Sequence, residues 1–136
     1  MIWSGTGGSR RRDRGAAAVE LALVMPLLLL VLCGIIDFGR MYNTQITLTQ
    51  AAREGARAAA YGQDPAARVS LAGRDLPEAV SVTASTTCPN SDGYAEVTIE
   101  YDFAFVTPFA VFAGMFGATP AGTYDLESTA VVTCSG

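Results

Sequence analysis

The residues of this sequence that could take part in chemistry are carboxylates and three cysteines, because histidine is absent. Metal sites, catalytic triads and most general-base sites use histidine or closely paired cysteines, and the sequence has neither a Cys-x2-Cys pair nor a serine between glycines. Glu96, Glu100 and Asp102 alternate along one stretch of chain, which is typical of the solvated face of a strand rather than of a carboxylate pair. The sequence therefore predicts no enzymatic activity, no metal and no cofactor.

Glu20 is the one charged residue in the apolar run from Ala16 to Ile36. A helix of that length covers about 30 Å at 1.5 Å per residue, which is the thickness of the hydrocarbon core of a bilayer. The run therefore predicts a transmembrane helix over residues 16–36. A carboxylate in such a helix is costly unless it is paired, and charges inside membrane spans usually mark function. The alternative is a glutamate that is favoured by the helix dipole and reaches the headgroups.

Charge on the two sides of the apolar run predicts the orientation of the chain. Four arginines lie directly before the run: Arg10, Arg11, Arg12 and Arg14. Basic residues beside a span are retained in the cytoplasm, so we expect residues 1–15 inside and the C-terminal domain outside the cytoplasmic membrane. Beyond Gly15, five arginines stand against twelve acidic residues, and such an acidic domain repels nucleic acid. A membrane is therefore an expected partner and nucleic acid is not.

The helix is predicted to continue beyond the membrane, over residues 37–62, because no proline interrupts the chain between Ile36 and Tyr61. Pro26 should kink the membrane part without ending it. Small residues recur at helical spacing on the outer part: Ala52, Gly55, Ala56 and Ala59. Small side chains let another backbone approach closely, either within the fold or between subunits. Gly62 is the expected C-cap.

Residues 63–136 are predicted to form a small α+β domain outside the membrane. Asp64 and Pro65 begin a short helix that should stop before Pro77. Strands are expected over residues 79–86, 94–106 and 123–134, and the middle one places Val97, Ile99, Tyr101, Phe103 and Phe105 on one face. The predicted fold class is α+β, a long N-terminal helix, with its first half transmembrane, packed on a small three-stranded antiparallel sheet.

Two of the three cysteines lie in the part of the chain that we place outside the membrane. Cys88 and Cys134 allow only one pairing there, where disulfides persist. A disulfide between Cys88 and Cys134 would close the loop of residues 88–134 and would stabilise the fold by about 4 kcal/mol in the chain-entropy model. Two free thiols are the alternative. Cys33 lies in the apolar run and should behave as a small hydrophobic residue.

The junction between the arginines and the apolar run carries a resemblance to a known processing site. A basic leader ends at Gly15, and a glutamate stands fifth in the apolar helix that follows. This resembles the prepilin processing site of type IV pilins and pseudopilins. The resemblance implies that a prepilin peptidase cleaves between Gly15 and Ala16, where a bare glycine favours an extended backbone. The new amine of Ala16 would then pair with Glu20 of the same or a neighbouring subunit.

Three blocks make the resemblance more specific: residues 14–30, residues 34–40 and residues 51–59. Together they are similar to the TadE-like proteins, minor pseudopilins of the tight-adherence (Tad, or Flp) pilus. The resemblance covers about a third of the chain. It implies a pilin-like fold and, as partners, other pilins or pseudopilins and the inner-membrane Tad platform.

The alternative function is that of a binding module outside the membrane. Residues 107–120 are predicted to form an apolar loop, because glycines interrupt them and prolines lie near both ends. The part from Phe109 to Phe116 could be the docking surface of an exported binding module. In that case the protein would be anchored by an uncleaved signal, and its outer domain would bind a ligand or an envelope partner.

Overall fold

A computed structural model describes residues 9–89, 92–115, 117 and 123–134 of the chain. Three helices and three strands follow one another in the order α1 (Ser9–Ala60), α2 (Pro65–Ala72), β1 (Ser81–Thr86), β2 (Tyr94–Ala104), α3 (Phe109–Met115) and β3 (Thr123–Thr133). Residues 1–8 of the predicted cytoplasmic leader lie outside the described residues. The α+β fold class is confirmed.

Helix α1 is longer than predicted at its start. It begins at Ser9 rather than at Ala16 and contains 52 residues, roughly 80 Å at 1.5 Å per residue. Arginine is a good helix former, and one glycine costs only about 1 kcal/mol within a helix, so Gly15 does not end it. Its other end is as predicted, because Gly62 has a positive φ of 70° and Gln63 N–H donates to the Ala58 carbonyl at 2.9 Å.

Helix α2 begins as predicted and ends before Pro77. The Asp64 side chain accepts a hydrogen bond from Ala66 N–H at 3.0 Å, and Pro65 occupies the first turn. The helix stops at Ala72 because Gly73 caps it, with the Gly73 N–H donating to the Val69 carbonyl at 2.9 Å. The helix therefore stops before Pro77, as predicted, and does so at Ala72.

The three strands form one antiparallel sheet in the order β1-β2-β3. The central strand β2 has the predicted alternation. It buries Val97, Ile99, Tyr101 and Phe103 in a core that is completed by α1 and α2. Strand β2 ends at Ala104 and not at the predicted Val106, because the N–H of Val106 donates to a side chain of α1 instead of to a neighbouring strand.

A covalent link closes the end of the sheet that lies farthest from the apolar half of α1. Cys88 and Cys134 form a disulfide, with their Cα atoms 5.8 Å apart. The N–H of Cys88 also donates to the Ala59 carbonyl at 3.0 Å. The last turn of α1, the end of β1 and the end of β3 are thereby held together.

Candidate functional site on the long helix

The first half of α1, residues 15–36, presents large apolar side chains that the chain itself does not cover. Leu23, Leu27 and Ile35 are each more than three-fifths exposed. Among the described residues, α1 is the one helix that is long and apolar enough to cross a membrane. This half of α1 therefore fits a single-pass membrane anchor.

The residues of the predicted processing site lie at the start of this exposed half. Gly15, Ala16 and Glu20 are all exposed, and a Cβ added at Gly15 would meet no atom within 4 Å. The peptide bond between Gly15 and Ala16 lies inside α1 and is not extended. Ala16 and Glu20 are four residues apart, so they lie on one face of the helix.

The small residues of the second half of α1 contact the same chain's own sheet and α2. Ala52, Gly55, Ala56 and Ala59 are all buried. A Cβ added at Gly55 would come within 2.6 Å of Val69 Cγ2 and 3.3 Å of Val97 Cγ1. Of the two interpretations of this stripe, the structure therefore favours packing within the fold, and these four residues are not free to pack against a second subunit.

A buried carboxylate lies between the two halves of α1. Asp37 is fully buried, and its carboxylate accepts hydrogen bonds from Val106 N–H at 3.3 Å, from Thr107 N–H at 3.4 Å and from the Thr107 hydroxyl. The Arg40 guanidinium lies 3.8 Å from the same carboxylate. It also lies 5.5 Å from the centre of the Phe103 ring, within the range of a cation–π contact.

The sequence showed only part of this arrangement. Asp37 and Arg40 are three residues apart, so a pair along the helix was foreseeable. The contact with Val106 and Thr107 crosses about 70 residues of chain, and no local pattern encodes it. The sequence did contain one indication of the contact. The predicted strand ended at Val106, shortly before Pro108, and the N–H groups at the end of a strand need an acceptor.

The stretch that we predicted as an apolar loop contains helix α3, which packs against the apolar half of α1. Between α1 and the segment that contains α3 lies a partly open cavity of about 230 Å³, lined by Pro26, Leu29, Leu30, Cys33, Pro108 and Phe112. The side of α1 that faces the fold continues into the span at helical spacing, through Asp37, Gly34, Cys33 and Leu30. Phe116 and residues 118–122 lie outside the described residues.

The outer face of the sheet carries facing carboxylates. Asp102 lies opposite Asp125, and Glu100 lies opposite Glu127. The hydrogen bond with Asp125, together with some desolvation and the negative charges of Asp125 and Glu78, raises the pKa of Asp102. Both side chains are exposed, and no cluster of metal-ligating residues is found among the described residues.

Comparison with known families finds one similarity, and it lies in the long helix. The model of the family described as TadE-like protein matches residues 15–57. Most of the long helix is therefore similar to the TadE-like family. The resemblance that rested on three sequence blocks is confirmed over this region, which contains Gly15, Glu20, Asp37, Arg40 and Gly55.

The match relates the chain to Tad pilus systems through its TadE-like helix and stops before the sheet. It covers about a third of the 136 residues. A search among curated proteins found no match, and a search among solved structures found none. The arrangement of the sheet and α3 on the TadE-like helix therefore rests on the structure described here.

Proposed function

We propose that this protein is a minor pseudopilin, an assembly subunit of the Tad (Flp) pilus that a prepilin peptidase processes after Gly15. The observation that carries the proposal is the spacing of Gly15, Ala16 and Glu20 at the start of a TadE-like helix with an exposed apolar surface. The four arginines before Gly15 support an orientation with the N-terminus in the cytoplasm and the sheet outside the cytoplasmic membrane.

Processing requires a local change in α1. A peptidase binds an extended backbone, whereas the bond between Gly15 and Ala16 is helical. The first turn of a helix has unpaired N–H groups and frays easily, and Gly15 weakens the second turn further. We expect residues 9–16 to unwind in the peptidase, while the apolar part from Leu21 onward stays helical in lipid.

Glu20 has a defined role in this proposal. Cleavage leaves a positive amine on Ala16, four residues before the Glu20 carboxylate. In a bilayer each of the two charges is costly alone, and pairing lowers that cost. A pair between neighbouring subunits would also fix how far one helix is shifted along the other.

The apolar half of α1 is the surface that remains for packing with other pilins and with the inner-membrane Tad platform. The stripe of Ala52, Gly55, Ala56 and Ala59 is used within the fold. Large exposed side chains line residues 19–36 instead. Helix packing in the membrane is therefore proposed for residues 16–36 alone.

The experiment compares two charge-removing variants in a strain that has lost its own copy of the protein. Glu20→Gln removes the carboxylate in the span, and Glu54→Gln is the matched control on the exposed side of the second half of α1. We expect Glu20→Gln to insert into the membrane normally but to lose pilus production, and Glu54→Gln to restore it. Normal piliation with Glu20→Gln would contradict the proposed role of Glu20.

The binding-module alternative receives no specific support from the fold. Its apolar segment includes α3, which lies against α1 instead of projecting from the sheet. The core also needs α1, because Leu48, Ala52 and Ala56 are buried beneath the sheet. A domain that begins at Gln63 would lack this part of its own core.

A further inference from the structure

Helix α3 lies at the depth of the membrane and not at the depth of the sheet. The residues of α1 that share a cavity with Pro108 and Phe112 run from Pro26 to Cys33. At 1.5 Å per residue, Cys33 is about 5 Å and Pro26 about 15 Å below Ile36, the last residue of the apolar run. Because the hydrocarbon core is about 30 Å thick, this range lies within the half nearer the sheet.

The outward side chains of α3 match that environment. Val111 and Met115 are 69% and 77% exposed, and no residue from Pro108 to Met115 is charged. In water these side chains and the neighbouring surface of α1 would form one continuous apolar patch. In a bilayer the same surface is covered by acyl chains at no hydrophobic cost.

The two N–H groups just before Pro108 are paired in the way that a membrane environment demands. Polar backbone groups at this depth must be paired within the protein, because lipid offers them no partner. The N–H groups of Val106 and Thr107 donate to the Asp37 carboxylate, Pro108 has no N–H, and Phe112 N–H donates to the Pro108 carbonyl at 3.0 Å. Asp37 therefore supplies acceptors at the point where the chain would leave water.

We infer that the segment from Val106 to Met115 enters the leaflet nearer the sheet, so that the protein contacts the membrane through α3 as well as through α1. The partner is the acyl chains of phospholipids, which cover Val111, Phe112 and Met115. Asp37 is the positioning residue that holds the entry of this segment against α1. This contact would also fix the tilt and rotation of the sheet relative to the membrane. It does not depend on cleavage after Gly15 or on a role in the pilus.

The test uses fluorescence quenching by lipids that carry bromine atoms on their acyl chains. Trp3 is the only tryptophan of the chain, so Trp3→Phe gives a background without tryptophan. Phe112→Trp and, separately, Met115→Trp then place one tryptophan on α3. The matched control is Val131→Trp, because Val131 is exposed on β3 but lies opposite Glu96, eight residues and about 26 Å along β2 from Ala104. Each full-length variant is reconstituted in phosphatidylcholine vesicles with and without bromine.

The inference predicts a strong loss of fluorescence in brominated vesicles for both α3 tryptophans and none for the β3 tryptophan. Emission of the α3 tryptophans should also lie at shorter wavelength than that of the control. Unquenched emission from both α3 variants, with helix content retained by circular dichroism, would overturn the inference. Quenching that appears only at very low protein-to-lipid ratios would also overturn the inference. It would mean that a second copy of the chain, and not lipid, covers α3 at higher protein-to-lipid ratios.

Discussion

The two halves of α1 are both rich in apolar residues, yet they meet different surroundings. Residues 15–36 carry large side chains that are mostly exposed, whereas residues 48–60 carry Leu48 and a set of alanines that are mostly buried under the sheet and α2. Side-chain size accounts for the difference. Large residues fill space against lipid, while small ones let a neighbouring backbone come close. Apolar composition alone does not say whether a helix faces a membrane or its own domain.

Asp37 lies where the two halves meet. It is the first charged residue after the apolar run, and it ties the end of β2 and the entry to α3 to the helix. Three parts of the molecule can therefore be changed separately: the domain half, which is residues 38–60 of α1 with the sheet and α2 packed on them; the joint at Asp37; and the exposed half of α1, residues 15–36.

The largest effect on the domain half is expected from loss of the disulfide. Cys88→Ser with Cys134→Ser removes a link between residues 46 positions apart. In the chain-entropy model this lowers the free energy of unfolding by about 4 kcal/mol. Thermal unfolding of the detergent-solubilised protein, followed by circular dichroism, measures it.

The control for that variant lies in the other half of α1. Cys33→Ala changes a thiol that lines the cavity beside α3 and is not bonded to another cysteine. It should leave the unfolding of the sheet nearly unchanged. An unaltered melting temperature in the double serine variant would show that the bond contributes nothing.

The second largest effect on stability is expected from a change at Asp37, the joint between the two halves of α1. Asp37→Ala leaves the N–H groups of Val106 and Thr107 without their acceptor and removes the charge beside Arg40. These are part-buried hydrogen bonds to a charged group, and their loss predicts a free energy of unfolding lower by about 2–4 kcal/mol. Hydrogen exchange should rise mainly at residues 104–115. If exchange rose evenly over the whole sheet instead, Asp37 would be a general core residue and not the joint between the halves.

Two glycine variants test how closely the second half of α1 approaches α2 and the sheet. Gly55→Ala places a methyl group within 2.6 Å of Val69 Cγ2, and overpacking of this kind costs about 1–3 kcal/mol. Gly39→Ala is its matched control, because a Cβ there meets no atom within 4 Å; it should stabilise the helix by about 0.4–1 kcal/mol. Equal effects of the two variants would mean that α2 does not pack on Gly55.

The smallest effect is expected on the outer face of the sheet, far from both halves of the helix. The pKa of Asp102 is raised above its ordinary value of 3.8 by Asp125, so the folded state favours the protonated carboxyl. The carboxylate pair therefore destabilises the fold as pH rises from 3.8 through the raised pKa of Asp102, and the effect is constant at higher pH. Asp102→Asn should raise the melting temperature slightly at neutral pH, and the gain should disappear below pH 3.8.

The control for this prediction is Glu96→Gln, since Glu96 faces Val131 on β3 and not another carboxylate. Salt should shrink the gain of Asp102→Asn, because exposed charges are screened. A gain that persists at low pH would have to come from something other than the charge pair.

Local patterns predicted those parts of the fold that local physics decides. The alternation along β2, the Asp64-Pro65 start of α2 and the positive φ of Gly62 all follow from short-range rules. The start of α1 at Ser9 did not follow from them. The arginines before Gly15 were interpreted as part of a leader, although arginine is also a good helix former.

The site was predictable only where it is local. Gly15 and Glu20 were recognised from their spacing, and the family match covers them. Helix α3 was not predicted, because a short apolar stretch with glycines is typical of a loop. Its contact with the apolar half of α1 joins residues far apart in the sequence, and no local pattern shows that contact. The choice between packing within the fold and between subunits at Gly55 needed the position of Val69, which lies in another element.

The central claim is that the exposed half of α1 begins, in the mature protein, at Ala16. Mass spectrometry of the intact protein, purified from cells with a prepilin peptidase and from cells without one, measures this directly. We predict an N-terminus at Ala16 in the first case and retention of residues 1–15 in the second, and retention in both for Gly15→Arg. A wild-type protein that keeps its arginine-rich leader in the presence of the peptidase would contradict the account.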